Sequence, residues 1–127
     1  MKILFVGDIV GLAGRRILAD RLDRLIDRHY IDLVVANGEN AAAGFGLTAS
    51  IARELLESGV DVLTSGNHIW DKREIFETLD REKRLLRPAN YPGDLPGRGA
   101  GIFATAAGVK VAVINLEGRV FMKNLDC

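Results

Sequence analysis

The sequence lacks the features that mark secreted, membrane or nucleic-acid-binding proteins. It has one cysteine in 127 residues, Cys127, so no disulfide can form within the chain and a reducing, cytoplasmic location is predicted. Lysine plus arginine equals aspartate plus glutamate, at 17 each, which gives no net charge to attract nucleic acid or an anionic membrane. The N-terminal apolar run, Ile3 to Val6, is too short for a signal-peptide core or a membrane span.

The composition is that of an ordinary globular domain. Apolar residues make up 48% of the chain and charged residues 27%, and the length suits one domain. A chain of this size buries roughly two-thirds of the surface that it exposes when unfolded, which is enough for a hydrophobic core.

Three short apolar runs each stop abruptly at small and polar residues. Residues 2–8 read KILFVGD, residues 33–40 read LVVANGEN, and residues 60–71 read VDVLTSGNHIWD. Such runs are typical of buried strands in a parallel sheet. They predict strands that end near Val6, Ala36 and Leu63.

Helices are predicted between and after these strands. One runs from about Arg15 to Tyr30, and a second is N-capped by Thr48 and runs to Ser58. Asp71 and Glu74 resemble a capping box for a third helix that ends near Leu79. The apolar stripe of the first helix consists of Ile17, Leu18, Leu22, Leu25 and Ile26.

The last third of the chain predicts a loop followed by a hairpin. Three prolines and four glycines lie in residues 87–101, and the apolar runs 100–106 and 109–115 flank Ala107 and Gly108. The order βαβαβα followed by a hairpin predicts an α/β fold with a parallel sheet.

The polar residues at the three strand ends are predicted to converge. Asp8 to Glu39 spans 31 residues and Glu39 to Asn67 spans 28, about one βαβ unit each, so the tips leave the same edge of the sheet. Oxygen ligands with one imidazole suit Mn, Fe or Zn, and a shared carboxylate can bridge two such ions. Two divalent ions would suit a phosphate and convert bound water to hydroxide. The candidate residues are Asp8, Glu39, Asn40, Asn67 and His68.

Other interpretations of the same residues stay open at this point. Asp8 could be a helix cap or a loop acid, and the Glu39–Asn40 pair a polar turn. Gly7, Gly11 and Gly14 after the first strand raise the alternative of a metal-free nucleotide-binding module. That alternative is weak, because the spacing is not G-x-G-x-x-G, Asp8 would repel a pyrophosphate, and no Gly-Lys-Ser/Thr motif is present.

The motifs GD, NGENAAAG, SGNHIWD and RPANYP, in this order, resemble the calcineurin-like metallophosphoesterases. The similarity is specifically to the YmdB-like bacterial branch of cyclic-nucleotide phosphodiesterases, and it covers essentially the whole chain. It implies a metallophosphoesterase-type layered α/β sandwich. It also implies a small phosphodiester substrate such as a cyclic nucleotide, and two divalent metal ions as cofactors, Fe or Mn first and Zn as a further candidate.

The resemblance also implies residue roles. Asp8, Glu39, Asn40 and Asn67 would be metal ligands, Glu39 bridging the two ions, and His68 would donate a proton to the leaving oxygen. The wider superfamily has a metal-binding histidine two residues after the first aspartate. The YmdB-like branch lacks this histidine, and in this chain the position is Val10.

One departure from the family pattern matters. The family's second half supplies further histidine ligands, whereas the only other histidine here is His29, at the end of the first helix. Residues 1–127 are therefore expected to be the N-terminal part of a single, truncated metallophosphoesterase domain. An alternative is an inactive fragment that folds without catalysis. Either way, the chain is expected to form a homo-oligomer or to pair with the missing C-terminal half.

Overall fold

The fold is built on a four-stranded parallel sheet. In the computed structural model, which describes residues 1–122 and 124–126, the strands are β1 (Ile3–Val6), β2 (Leu33–Asn37), β3 (Val62–Thr64) and β4 (Leu85–Leu86). They pair side by side in the order β1-β2-β3-β4, every pair parallel. Cys127, the basis for predicting a reducing location, lies outside the described residues.

Three helices connect the strands, and a hairpin follows them. The helices are α1 (Gly11–His29), α2 (Ala49–Glu57) and α3 (Ile75–Arg81), and a 3₁₀ helix, Asn67–Trp70, follows β3. The hairpin strands β5 (Ala100–Ala104) and β6 (Lys110–Ile114) pair with each other and not with the main sheet. No helix in the described part of the chain is long and apolar enough to cross a membrane.

The sheet lies between two layers, which explains why β2 is buried along almost its whole length. One face packs against the helices through Val34, Ala36 and Leu63, which join buried leucines of α1, α2 and α3 in the main core. On the other face Leu33, Val35, Val62 and Leu86 form a second, smaller core that contacts Phe103, Val111 and Val113 of the hairpin. The predicted α/β sandwich with a parallel sheet is confirmed.

The predicted element order is confirmed apart from one strand. The two-residue strand β4 was not predicted, because two apolar residues carry no periodicity. Helix α1 begins at Gly11 rather than near Arg15, and Gly14 lies inside it, where an added Cβ would be 3.2 Å from Ile9. Close packing, not a turn, accounts for this glycine.

Two further predictions are wrong. The Asp71–Glu74 capping box does not form: α3 begins after Glu74 without a side-chain cap, and Asp71 hydrogen-bonds to His68 instead. The predicted stripe of α1 is only partly buried. Leu18 and Leu22 are in the core, but Ile17 and Leu25 are exposed, because α1 packs beside the edge strand β1.

The loop between β4 and β5 is organised by a buried arginine. The Arg87 guanidinium donates hydrogen bonds to the backbone carbonyls of Pro88, Pro92 and Pro96, at 2.9, 3.3 and 3.2 Å. Proline lacks an N–H but its carbonyl still accepts, so one side chain joins three carbonyls of the loop; the backbone N–H groups of Tyr91 and Leu95 also donate to Pro88 and Pro92. The loop that carries Asn90 and Tyr91 is thereby given one conformation.

The end of the hairpin is tied to the main sheet. The buried Asn115 side chain donates to the carbonyls of Ser65, at 2.8 Å, and Leu86, at 3.1 Å. These contacts fix the chain after β6 at the carboxyl ends of β3 and β4. The hairpin thus adds residues to the same edge as the strand tips.

One sheet face remains partly uncovered. Ile3 and Phe5 of β1 point to the hairpin side, where Phe5 is 62% exposed. Together with apolar residues of the hairpin and of the segment after it, they line a concave surface that is open to solvent. We call this surface the open trough; its apolar lining includes Ile3, Phe5, Ile114, Leu116, Val120 and Met122.

Candidate metal centre

Strand register brings the candidate residues together. Val6 pairs with Ala36 and Ala36 with Leu63, so β1, β2 and β3 end at the same level. The predicted site residues follow within a few positions of these pairs. The predicted convergence of the three strand tips is what the structure shows, and the contacts below define it.

Asp8 and Asn40 contact each other directly. Asn40 Nδ2 donates to Asp8 Oδ1 at 2.7 Å, and the backbone N–H of Gly11 donates to the Asn40 carbonyl at 2.9 Å. Asp8 adopts a positive φ of 31°, a conformation that costs a non-glycine residue about 1–2 kcal/mol. The strained backbone turns the chain at the end of β1 and places the Asp8 carboxylate beside the tip of β2.

Glu39 lies in the centre of the cluster, against Gly66. A Cβ on Gly66 would overlap the carboxylate, with Glu39 Cδ only 2.7 Å away, so only glycine leaves room for it. Burial raises the pKa of Glu39 most strongly; the His68 charge lowers that pKa and the Asp8 charge raises it. Asp8, Glu39 and His68 are therefore near enough to interact electrostatically.

Two oxygen atoms of the predicted site residues are buried without a hydrogen-bond donor among the described residues. They are Glu39 Oε2 and Asn40 Oδ1. A buried polar atom without a partner costs about 1–3 kcal/mol, more for a charged group. Both atoms are acceptors, so a cation or a donor group of a ligand would satisfy them.

His68 is held from two sides. Its Nδ1 lies 2.7 Å from Asp71 Oδ2, and its ring meets Phe45 edge to face, with centroids 5.1 Å apart. The 3₁₀ helix begins at Asn67, directly after Gly66, and therefore presents Asn67 and His68 at the tip of β3. Asn67 borders the same cavity as Glu39 and Gly66.

Sequence reasoning missed one acidic residue, Glu117. It borders the cavity with Glu39, and its negative charge contributes to the raised Glu39 pKa. Its backbone is held by Asn90, which accepts from the Glu117 N–H at 3.0 Å and donates to the Glu117 carbonyl at 2.8 Å. Both carboxylate oxygens are buried, and the Tyr91 hydroxyl lies beside them as a hydrogen-bonding partner. The signal was available, because Glu117 follows the apolar run of β6 just as Glu39 follows that of β2.

Tyr91 lies next to Glu117. Burial, and then the neighbouring Glu117 carboxylate, raise the pKa of Tyr91 to about 12, so its hydroxyl keeps its proton at neutral pH. Its ring packs against Trp70, with centroids 5.3 Å apart. The loop fixed by Arg87 therefore forms one wall beside the acidic residues.

The donor set fits part of a metal coordination shell. Carboxylate and amide oxygens suit hard and borderline divalent ions, and the unpartnered Glu39 and Asn40 oxygens are the atoms such an ion would bind. Within the described ranges, however, no three His, Cys, Asp or Glu side chains are grouped closely enough to hold a metal by themselves. The amides of Asn40 and Asn67, or groups from elsewhere, are needed as well.

Comparison with known proteins decides the family. The sequence model of the YmdB-like protein family matches residues 4–127, almost the entire chain. The chain belongs to the YmdB-like family. The resemblance noted in the motifs is thereby confirmed.

The relatives of this YmdB-like chain are hydrolases by name. It is 46% identical over 126 residues to a 2′,3′-cyclic-nucleotide 2′-phosphodiesterase of Bacillus subtilis, covering 99% of this chain and 47% of the relative. It is 34% identical over 122 residues to a putative phosphatase/phosphodiesterase of Mycoplasma genitalium, covering 93% of this chain and 43% of the relative. The chain spans about half the length of the curated relatives that it matches.

Solved structures support the fold in the same way. A hypothetical protein from Thermus thermophilus superposes with a TM-score of 0.91 at 40% identity, covering 100% of this chain and 49% of that one. A phosphatase from Mycoplasma pneumoniae gives a TM-score of 0.88 at 32% identity, covering 99% of this chain and 47% of that one. The family and the α/β architecture are therefore established, and the predicted roles of individual residues remain predictions.

The strain at Asp8 generates a stability prediction. Asp8→Gly and Asp8→Ala both remove the carboxylate that accepts from Asn40, but only glycine adopts a positive φ without cost. We expect Asp8→Gly to have the higher free energy of unfolding of the two, by about 1 kcal/mol, in urea denaturation.

The control is the same pair of substitutions at Asp20, an exposed position within α1. There the order should be reversed, because glycine destabilises a helix interior by about 0.5–1 kcal/mol relative to alanine. Equal stabilities for the two Asp8 variants would show that the positive φ carries no cost.

Proposed function

We propose that this chain forms the metal- and proton-bearing part of a metal-dependent phosphodiesterase acting on 2′,3′-cyclic nucleotides. The observation that carries the proposal is the cluster of unpartnered acceptor oxygens, Glu39 Oε2 and Asn40 Oδ1, beside His68. The name of the Bacillus subtilis relative supports the choice of substrate. A cytoplasmic location belongs to the proposal, since the sequence holds a single cysteine.

The proposed cofactors are two divalent ions, Fe or Mn, with Zn as a further candidate. Asp8, Glu39, Asn40 and Asn67 would hold them, with Glu39 central because its carboxylate lies between the β1 and β3 tips. When bound, such ions polarise phosphoryl oxygens and activate water for attack on phosphorus. Only two carboxylates stand among these four ligands, which leaves positive charge for the phosphate.

The chain's own residues supply positioning and a proton. His68 would donate the proton on its outward ring nitrogen, Nε2, to the departing ribose oxygen, so that no alkoxide accumulates. For a 2′-phosphodiesterase that oxygen is the 2′ one. Asn40 and Asn67 would orient the phosphodiester or the ions without adding negative charge that would repel it.

A second candidate is a chain that folds and associates without catalysis. It is favoured by the scarcity of nitrogen ligands, since the sequence contains two histidines and His29 lies at the far end of α1. It is also favoured by the open trough, whose apolar side chains suit a partner surface. A metal-free nucleotide-binding module is disfavoured, because Asp8 occupies the turn before α1 where a pyrophosphate would bind.

Metal binding gives the first test. Gly66→Ala displaces the Glu39 carboxylate, a flexible group, and should leave the fold intact while weakening Mn²⁺ binding by about 10–100-fold or more. Isothermal titration of the chain with Mn²⁺ measures the affinity, and circular dichroism checks the fold. Gly7→Ala is the matched control: Gly7 also follows a strand, and an added Cβ meets nothing within 4 Å. Equal Mn²⁺ affinity in both variants would remove Glu39 from the metal site.

Hydrolysis gives the second test. We expect negligible activity from the isolated chain, but turnover of 2′,3′-cyclic AMP with Mn²⁺ by a chimera in which this chain replaces the matched 126 residues of the Bacillus subtilis relative. In that chimera His68→Ala should lower kcat by about 10²–10⁴-fold with metal content retained. The matched His29→Ala should not change kcat. Loss of metal from His68→Ala would show that His68 is a metal ligand and not the proton donor. An inactive chimera that binds Mn²⁺ would contradict the proposed reaction.

Association gives the third test. We propose that the open trough is covered by a second copy of the chain or by the remaining half of the family fold. Sedimentation velocity of the isolated chain should show self-association that Phe5→Ser weakens, because Phe5 is 62% exposed in the trough. Ile17→Ser, at an equally exposed apolar position on α1, is the control. A monodisperse monomer would contradict self-association through this face.

A further inference from the structure

We propose that Asp71 is a positioning residue that fixes the tautomer of His68, so that Nε2 is the nitrogen that carries the transferable proton. The relevance to catalysis rests on the proposed function. The positioning itself rests on local geometry and can be tested separately.

The contact between the two side chains is short and specific. His68 Nδ1 lies 2.7 Å from Asp71 Oδ2, three residues apart across the turn from the 3₁₀ helix to α3. A carboxylate without a proton only accepts hydrogen bonds, so Nδ1 must carry the hydrogen in this contact. The neutral ring then has its lone pair on Nε2, and Nε2 makes no hydrogen bond to the described residues.

The loop after β2 contacts the His68 ring and the segment that carries it. Phe45 packs edge to face against the ring, at an interplanar angle of 69°. The backbone below is crowded as well: a Cβ at Gly46 would lie 3.1 Å from the His68 carbonyl oxygen and 3.5 Å from Asp71 Cβ. The loop after β2 therefore packs directly on the segment that carries both His68 and Asp71.

The local sequence offered Asp71 two alternatives. With Glu74 three residues later it has the pattern of a helix cap, yet α3 begins at Ile75 without using it. Its carboxylate is engaged by His68 instead. The Asp71 carboxylate therefore orients the His68 ring and does not cap α3.

The consequence for the reaction is a defined proton path. A proton taken up at Nε2 gives an imidazolium whose positive charge is balanced by Asp71. In the transfer, a water oxygen bonds to phosphorus and loses a proton to solvent, while the P–O bond to the leaving oxygen and the Nε2–H bond break. The electron pair of the P–O bond stays on the leaving oxygen and binds the proton from Nε2, which leaves His68 neutral with hydrogen on Nδ1.

Nitrogen NMR of the isolated chain tests the tautomer without any activity. The sequence has two histidines, so a His29→Gln variant assigns the ring signals, and exposed His29 serves as an internal reference. Spectra are recorded at about pH 8.5, above the usual imidazole pKa of about 6.5. We expect hydrogen on Nδ1 of His68, whereas His29 should show the Nε2-protonated form that free imidazole side chains prefer.

Variants separate the hydrogen bond from the charge. Asp71→Asn keeps an acceptor oxygen and should retain the Nδ1–H tautomer, whereas Asp71→Ala should shift the tautomer ratio of His68 by about tenfold toward Nε2–H. Glu74→Gln, an exposed carboxylate in the same segment, is the matched control and should change nothing. An amide correlation spectrum confirms that each variant is folded.

The outcomes distinguish this inference from the proposed function. Wild-type His68 with hydrogen on Nε2, or an unchanged ratio in a folded Asp71→Ala variant, overturns the positioning role whatever the activity. In the chimera, Asp71→Ala should lower kcat by about 10–100-fold with KM nearly unchanged, and Asp71→Asn should be less affected. Nδ1–H in the wild type together with an inactive chimera supports the positioning and contradicts the phosphodiesterase.

Discussion

The parallel register of β1, β2 and β3 is the constraint on which the candidate site depends. Because Val6, Ala36 and Leu63 are paired in one row, the chain leaves all three strands at one edge of the sheet. Strands β2 and β3 are short and buried, so a shift in register would expose core residues such as Val34 and Leu63. The hydrophobic core therefore sets the spacing between Asp8, Glu39 and Asn67.

The site itself is the least satisfied part of this well-packed chain. It combines a non-glycine positive φ at Asp8 with buried acceptor oxygens on Glu39 and Asn40 that lack donors among the described residues. Such costs persist when the surroundings impose them. Here the surroundings are rigid: Arg87 fixes the proline loop, and Asn115 ties the hairpin to β3 and β4. A cation at the unpartnered oxygens would remove the electrostatic part of the cost, which is why we infer metal binding.

Much of this arrangement could be predicted from the sequence, and the exceptions have physical causes. Strand tips, the Thr48 cap and the hairpin follow from local patterns, and the structure confirms them. Glu117 follows an apolar run, as Glu39 does, but its place beside Glu39 depends on contacts across the fold, through Asn90 and Asn115, which no local pattern shows. Asp71 was assigned to a helix cap because the pattern of residues 71–74 does not show that His68 competes for the same carboxylate. The strand β4 is defined by pairing with β3 alone, and two residues give no pattern of their own.

The most direct measurement is anomalous diffraction from crystals of the chain soaked in Mn²⁺, recorded at the manganese absorption edge. We expect a peak about 2.0–2.6 Å from Glu39 Oε2 and within the same range of Asn40 Oδ1 or Asp8. A peak bonded to neither Glu39 nor Asn40, or no peak at this edge of the sheet at saturating Mn²⁺, would contradict it.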